Sequence, residues 1–166
     1  MRFRRLRFVV LLLAALTLTM EAAHVLELPQ KLGYEPALYS AVNSTMYRYF
    51  ALIGGPLTIL TLLSGAALVV ALRQQPGFWW TFAGVLAYFV AFGIWLAVVE
   101  PVNRTVAAAF AKDPGSLPQL WTALRGRWEY GHAAGFVFEL LGLACLLWSV
   151  LASPQPATAW SKRQHG

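Results

Sequence analysis

Two Glu-x-x-His pairs carry the most chemistry in this chain: Glu21-Ala22-Ala23-His24 near its start, and Glu129-Tyr130-Gly131-His132 at the head of its last apolar run. Carboxylates and imidazoles exchange protons, act as general bases and ligate transition metals. Glu129, His132 and Glu139 are three and then seven residues apart, so a helix stacks them along one face. Inside a membrane helix such groups are costly unless paired, hydrated or bound to something.

Three chemistries fit this set. The first is a metal site. Four-helix di-iron and di-manganese proteins use two Glu-x-x-His pairs plus a Glu from each remaining helix. Glu21, His24, Glu129 and His132 supply the pairs, and Glu100 supplies one further carboxylate. The second apolar run supplies none, so Glu27 and Glu139 are reserves. Iron or another transition metal is the expected ion, and a mononuclear site is the less demanding version. The second chemistry is haem, with His24 and His132 as axial ligands. The third is cofactor-free: His24 or His132 as general base beside Glu129, with Arg104, Arg125 or Arg127 holding an anionic intermediate. Against all three stands a structural reading, in which these acids pair with Arg48, Arg104, Arg125 and Arg127 and fix helix packing.

The elements that must position these residues are membrane spans. The 166-residue chain is 58% hydrophobic and only 12% charged, the composition of an integral membrane protein. Its net charge of +6 forms no continuous basic stripe, so a nucleic-acid partner is not expected. Four of the basic residues are Arg2, Arg4, Arg5 and Arg7, a cluster that places the N-terminus in the cytoplasm. The lone Cys145 lies in an apolar run and excludes a disulfide framework.

Apolar periodicity and breakers predict an all-α fold: one domain, 1–152, with four transmembrane helices at about 6–28, 50–72, 78–100 and 128–152. Pro29 is expected to end the first, and residues 36–49 to form a short amphipathic helix or an extension of the second. Residues 73–77 read as a tight turn. Residues 104–127 read as a polar connection, with a turn at 113–116 and a candidate helix at 117–124. Residues 153–166 read as a disordered cytoplasmic tail. An even number of spans makes an antiparallel bundle with both termini cytoplasmic. All seven acids then lie in the outer half or beyond, with Glu139 nearest the middle. Asn43-Ser44-Thr45 and Asn103-Arg104-Thr105 match the glycosylation sequon.

Glu100-Pro101-Val102-Asn103, the Leu117-Pro118 to Trp121 stretch, and Arg127-Trp128-Glu129-Tyr130-Gly131-His132 together resemble the anthrone oxygenase-like family of small four-helix membrane proteins. Ala23-His24-Val25-Leu26-Glu27-Leu28-Pro29 is similar to a bacterial branch of it. This chain has Gly135 where many members have Arg. The resemblance implies a multi-pass protein of the bacterial plasma membrane and, for some members, oxygenation of an anthrone to an anthraquinone. The expected function is therefore an oxygenase-like or other redox activity on a lipophilic, aromatic substrate at an outward-facing Glu/His pocket. The alternative is a non-catalytic membrane subunit, whose Glu/His/Arg cluster packs against a homo-oligomeric or other membrane partner.

Overall fold

Helix α1 (Arg4–Leu32) runs through Pro29, where the sequence suggested it would stop. Proline lacks an N–H and crowds the carbonyl four residues back, so it is disruptive in mid-helix. Pro29 sits in the last turn, where few further backbone bonds depend on it. Lys31 is therefore carried on the same helical face as Glu27 and His24 instead of in a loop.

The computed structural model describes residues 3–152, with no strand among the described residues; the expected tail, 153–166, lies outside them. α2 (Pro36–Met46) starts with a proline at its first turn, where the missing N–H costs nothing. It is a helix of its own, separated from α3 (Arg48–Leu72) only by Tyr47. Gly77, at φ 85°, makes the left-handed turn into α4 (Phe78–Ile94). The presumed connection after residue 103 is almost wholly helical. α4 continues through a π-helical turn, Trp95–Val99, into α5 (Glu100–Lys112). After a 3₁₀ turn, Pro114–Ser116, α6 runs from Leu117 to Leu151. Asp113 starts that turn by accepting the Gly115 N–H. Four helical stretches are long and apolar enough to cross a membrane: Arg4–Leu32, Tyr49–Leu72, Phe78–Lys112 and Pro114–Leu151.

The π turn has a local cause. Pro101 has no N–H to give the Ala97 carbonyl, and the Glu100 N–H bonds back to Trp95 O, five residues earlier. The freed Ala97 carbonyl accepts from Arg127 Nη2 at 3.1 Å. A backbone defect thus ties the third span to the head of α6.

Close contacts set the helix registers. Tyr88 OH donates to Ala14 O at 2.9 Å, and the Thr17 and Thr61 hydroxyls meet at 2.8 Å. Val10, Ala14, Leu62, Leu68, Leu72, Val85, Tyr88 and Leu146 make one apolar core. Tyr39, Tyr47, Val99, Val102, Leu117, Trp121 and Trp128 make a second, more aromatic one. α4 and α6 touch backbone to backbone: a Cβ at Gly84 would lie 2.8 Å from Gly142 O, and one at Gly142 would lie 2.8 Å from the Tyr88 ring. Such small-residue contacts are how membrane helices pack where no hydrophobic force separates lipid from side chain. Outside the cores, Phe8, Leu52, Leu63 and Trp79 are among many exposed apolar side chains, a surface suited to a lipid bilayer.

Gly142→Ala and Gly84→Ala should each destabilise the bundle by about 1–3 kcal/mol, because neither a carbonyl nor a buried ring can yield. Gly93→Ala, which meets nothing within 4 Å, should be neutral or slightly stabilising. Detergent-titrated unfolding of the purified variants measures the difference.

Candidate functional site

Lys31 and Glu129 meet inside the protein. Lys31 Nζ lies 2.6 Å from Glu129 Oε1, and the two residues are 2% and 0% exposed. α1 brings the lysine past Pro29, and α6 brings the glutamate one turn below Arg125. α2 closes the pair from the side. Tyr39 OH donates to the same Glu129 oxygen at 2.8 Å. Lys31 donates to Tyr47 OH at 3.1 Å, and Tyr47 OH in turn donates to Glu27. The ammonium also lies 4.3 Å from the Tyr47 ring centre and 4.7 Å from that of Trp128, within range of cation–π attraction. A buried charge pair repays its desolvation only when such extra partners surround it.

The histidines lie beside this network. The His24 and His132 rings stack with centroids 4.1 Å apart and planes 26° from parallel. Tyr47 stacks on His24 at 4.7 Å, and Phe50 and Trp128 close its other edges. His132 Nδ1 lies 2.9 Å from Glu21 Oε2. With Glu21 ionised, this contact places the proton on Nδ1 and leaves Nε2 with its lone pair. Gly135 faces that carboxylate: a Cβ there would lie 3.6 Å from Glu21 Oε2, an ordinary contact. His24 Nδ1 is buried and finds no hydrogen-bond partner among the described residues. Glu139, also buried, has one oxygen in the same condition.

The structure thus divides the five candidate ligands. His24, His132 and Glu21 come together. Glu129 turns to Lys31 and Tyr39. Glu100 is apart from both, paired with the exposed Arg104. Among the described residues no three His, Cys, Asp or Glu side chains are grouped to hold a metal ion. An ammonium already stands on Glu129 Oε1 and Glu100 lies elsewhere, so the five residues do not assemble into the two-pair metal centre. They do not fit a bis-histidine haem either, since rings stacked at 4.1 Å leave no space for a macrocycle between them. Of the arginines, Arg125 Nη1 donates to Tyr34 O at 2.8 Å and pins the α1–α2 turn to α6, while Arg127 serves Ala97.

Sequence reasoning missed Lys31, Tyr39 and Tyr47. Offsets of four and seven from Glu27 and His24 mark Lys31, but only once α1 is known to pass Pro29. The sequon at Asn43 does not hold: Asn43 is buried in α2, closed to a glycosylating enzyme. Asn103 Oδ1 accepts from Trp128 Nε1 at 2.8 Å.

Lys31→Met and Glu129→Leu should each cost about 3–5 kcal/mol by leaving one charge buried alone, and the double variant should recover much of that loss. A double-mutant cycle on unfolding free energy reads it. Tyr39, outside the four spans, has its pKa raised by burial and by the Glu129 charge. Its contribution is therefore complete below the unfolded-state value of about 10 and is lost as pH climbs beyond it. Tyr39→Phe should flatten the alkaline fall in stability by one proton's worth of slope, measured by unfolding between neutral and strongly alkaline pH.

Compared with known proteins, the chain matches no family model, no curated protein and no solved structure.

Proposed function

We propose that the protein is a cofactor-free, membrane-embedded acid–base enzyme that promotes oxygenation of a lipophilic aromatic substrate at an activated CH₂ group. The observation that carries this reading is the buried pair His24/His132, stacked at 4.1 Å with Glu21 on His132 Nδ1. A carboxylate that fixes one imidazole nitrogen leaves the other as an oriented base, the arrangement used wherever a histidine must take a proton. The aromatic walls suit a flat apolar substrate, and the resemblance of the Arg127–His132 segment to anthrone oxygenase-like proteins points to the same chemistry.

The reaction balances without a metal. His132 Nε2 removes one proton from the CH₂ between two aryl rings. The carbanion transfers electrons to dioxygen as a C–O bond forms, giving a peroxide that takes the proton back from the imidazolium. Loss of the remaining C–H proton with O–O cleavage releases hydroxide and leaves a carbonyl. Proton and hydroxide make water, so R₂CH₂ and O₂ become R₂C=O and H₂O.

In the membrane topology we propose, the four spans form an antiparallel bundle with cytoplasmic termini, in a bacterial plasma membrane, and the site lies toward the outer face. The contacts of Thr17 with Thr61, Tyr88 with Ala14, and His132 with Glu21 support the antiparallel packing, and the arginines before the first span support the cytoplasmic N-terminus. A second reading has its own observation. The Lys31–Glu129 pair is fully buried and well partnered, as befits a non-catalytic subunit whose charges hold helices in register for a membrane partner.

Anthrone supplied to protein in lipid nanodiscs separates the two. One dioxygen should be consumed per anthraquinone formed, and His132→Ala or His24→Ala should lower the rate by about a hundredfold or more while unfolding stays cooperative. Wild-type turnover no faster than empty nanodiscs, or histidine variants as active as wild type, would leave only the structural reading.

A further inference from the structure

Two acids are buried in this bundle, and they are served unequally. Glu129 has Lys31 and Tyr39. Glu139, 5% exposed and well inside α6, has no ion pair among the described residues, and its Oε2 has no hydrogen-bond partner there. An acid inside a membrane span is expensive to keep, and those that face a bundle interior mark proton and ion paths. Glu139 faces the interior, with Glu21 on α1 and Tyr88 on α4 as its titratable neighbours. The Tyr88 proton is already given to Ala14 O. That leaves Glu21.

Geometry links these two acids to a histidine. Gly135 is three residues after His132 and four before Glu139, so the three positions share one face of α6. The Glu21 carboxyl group lies over the middle of that run. Its Oε2 is 2.9 Å from His132 Nδ1 and 3.6 Å from where a Gly135 Cβ would stand. It thus occupies the two turns, about 10 Å of helix, that separate His132 from Glu139. The two carboxyl groups are close enough to interact electrostatically. Neither has a lysine or arginine partner among the described residues. Two carboxyl groups side by side in apolar surroundings, without a cation, hold one proton between them because both cannot ionise. Beyond His132, the His24 ring follows at 4.1 Å.

We propose that Glu139 and Glu21 form an intramembrane proton-binding site that exchanges protons with His132, giving the bundle a proton path from its interior to the stacked histidines. At rest Glu139 is the carboxylic acid, and Glu21 is the carboxylate that accepts the His132 Nδ1–H. A proton arriving at His132 Nε2 makes an imidazolium. The Nδ1–H bond then breaks, and its proton forms an O–H bond on Glu21 Oε2. The imidazole is neutral again with its proton on Nε2, and the acid pair now holds two protons. The reverse sequence returns the proton, and no electrons change hands. Exchange between the two carboxyl groups completes the path.

This assignment goes beyond the oxygenation scheme, which does not use Glu139, and it is tested with no substrate present. Infrared spectroscopy of the full-length protein in phosphatidylcholine nanodiscs at neutral pH reads the carbonyl stretch of a protonated carboxyl group. A switch to heavy water times the exchange of its proton. Wild type should show one such band, absent in Glu139→Gln. In Glu21→Gln the band should remain while its exchange slows by roughly a hundredfold, the scale of losing one positioned proton carrier. His132→Phe, which keeps a flat ring against His24, should slow it likewise. No protonated-carboxyl band in wild type, a band that survives Glu139→Gln, or wild-type exchange in either relay variant would overturn the site. Loss of the band on adding sodium chloride would also overturn it, making the acids a sodium site. If Glu21→Gln does not fold, His132→Phe decides.

Discussion

The contact on which this structure depends is the buried ion pair between Lys31 and Glu129. An isolated ammonium or carboxylate in apolar surroundings costs several kcal/mol, and in a hydrocarbon environment no solvent stands by to relieve it. The pair is tolerable only because everything around it is polarised toward it: one hydroxyl on each partner, and two aromatic faces on the cation. Each of those groups comes from a different part of the chain. The lysine requires α1 to pass Pro29, the tyrosines require α2 to lie across α3 and α6, and the glutamate requires α6 to begin well before the apolar run it leads into. If any one is displaced, a full charge is stranded. The ion pair therefore specifies the arrangement more sharply than apolar packing against lipid could.

Backbone irregularities support this specification. Proline at position 101 removes a donor, the helix widens by one residue over Trp95–Val99, and the orphaned carbonyl is taken by Arg127, two residues before Glu129. Facing that wide turn is Gly131, where a Cβ would lie 2.7 Å from the Val99 side chain. One turn along, Gly135 lies opposite the Glu21 carboxylate, which a methyl there would meet at ordinary contact distance. Gly131 and Gly142 thus serve close helix packing on one face of α6.

Much of this architecture is legible in the sequence, because span length and apolarity depend on composition alone. The four spans, the turn at Gly77 and the turn at 113–116 follow from apolar runs and breakers. Depth, counted at about 1.5 Å per residue, puts His24 and His132 at one level on two helices, but it leaves open whether the two pairs face each other. Rotation about each helix axis is not encoded so simply. Glu129 and His132 are three residues apart, yet they serve different partners, and Glu100, at a similar depth, faces Arg104 instead. Lys31 was hidden by a rule that holds well in mid-helix and poorly in a last turn. The sequon match at Asn43 says nothing about burial, and the residue is buried in α2.

The two halves of the site share walls. Tyr47 stacks on His24 with its ring and bonds Lys31 and Glu27 with its hydroxyl; Trp128 lies against both histidines and beneath the ammonium. A rigid charge pair on one side of two aromatic plates holds those plates still for the imidazoles on the other side. Pre-organisation of this kind is what an acid–base site needs, since groups already in place need no reorganisation when charge develops. A purely structural cluster would need the ion pair but not the histidine whose nitrogen is left without a partner. The buried unpartnered atoms of His24, Glu129 and Glu139 impose a cost that packing alone does not recover.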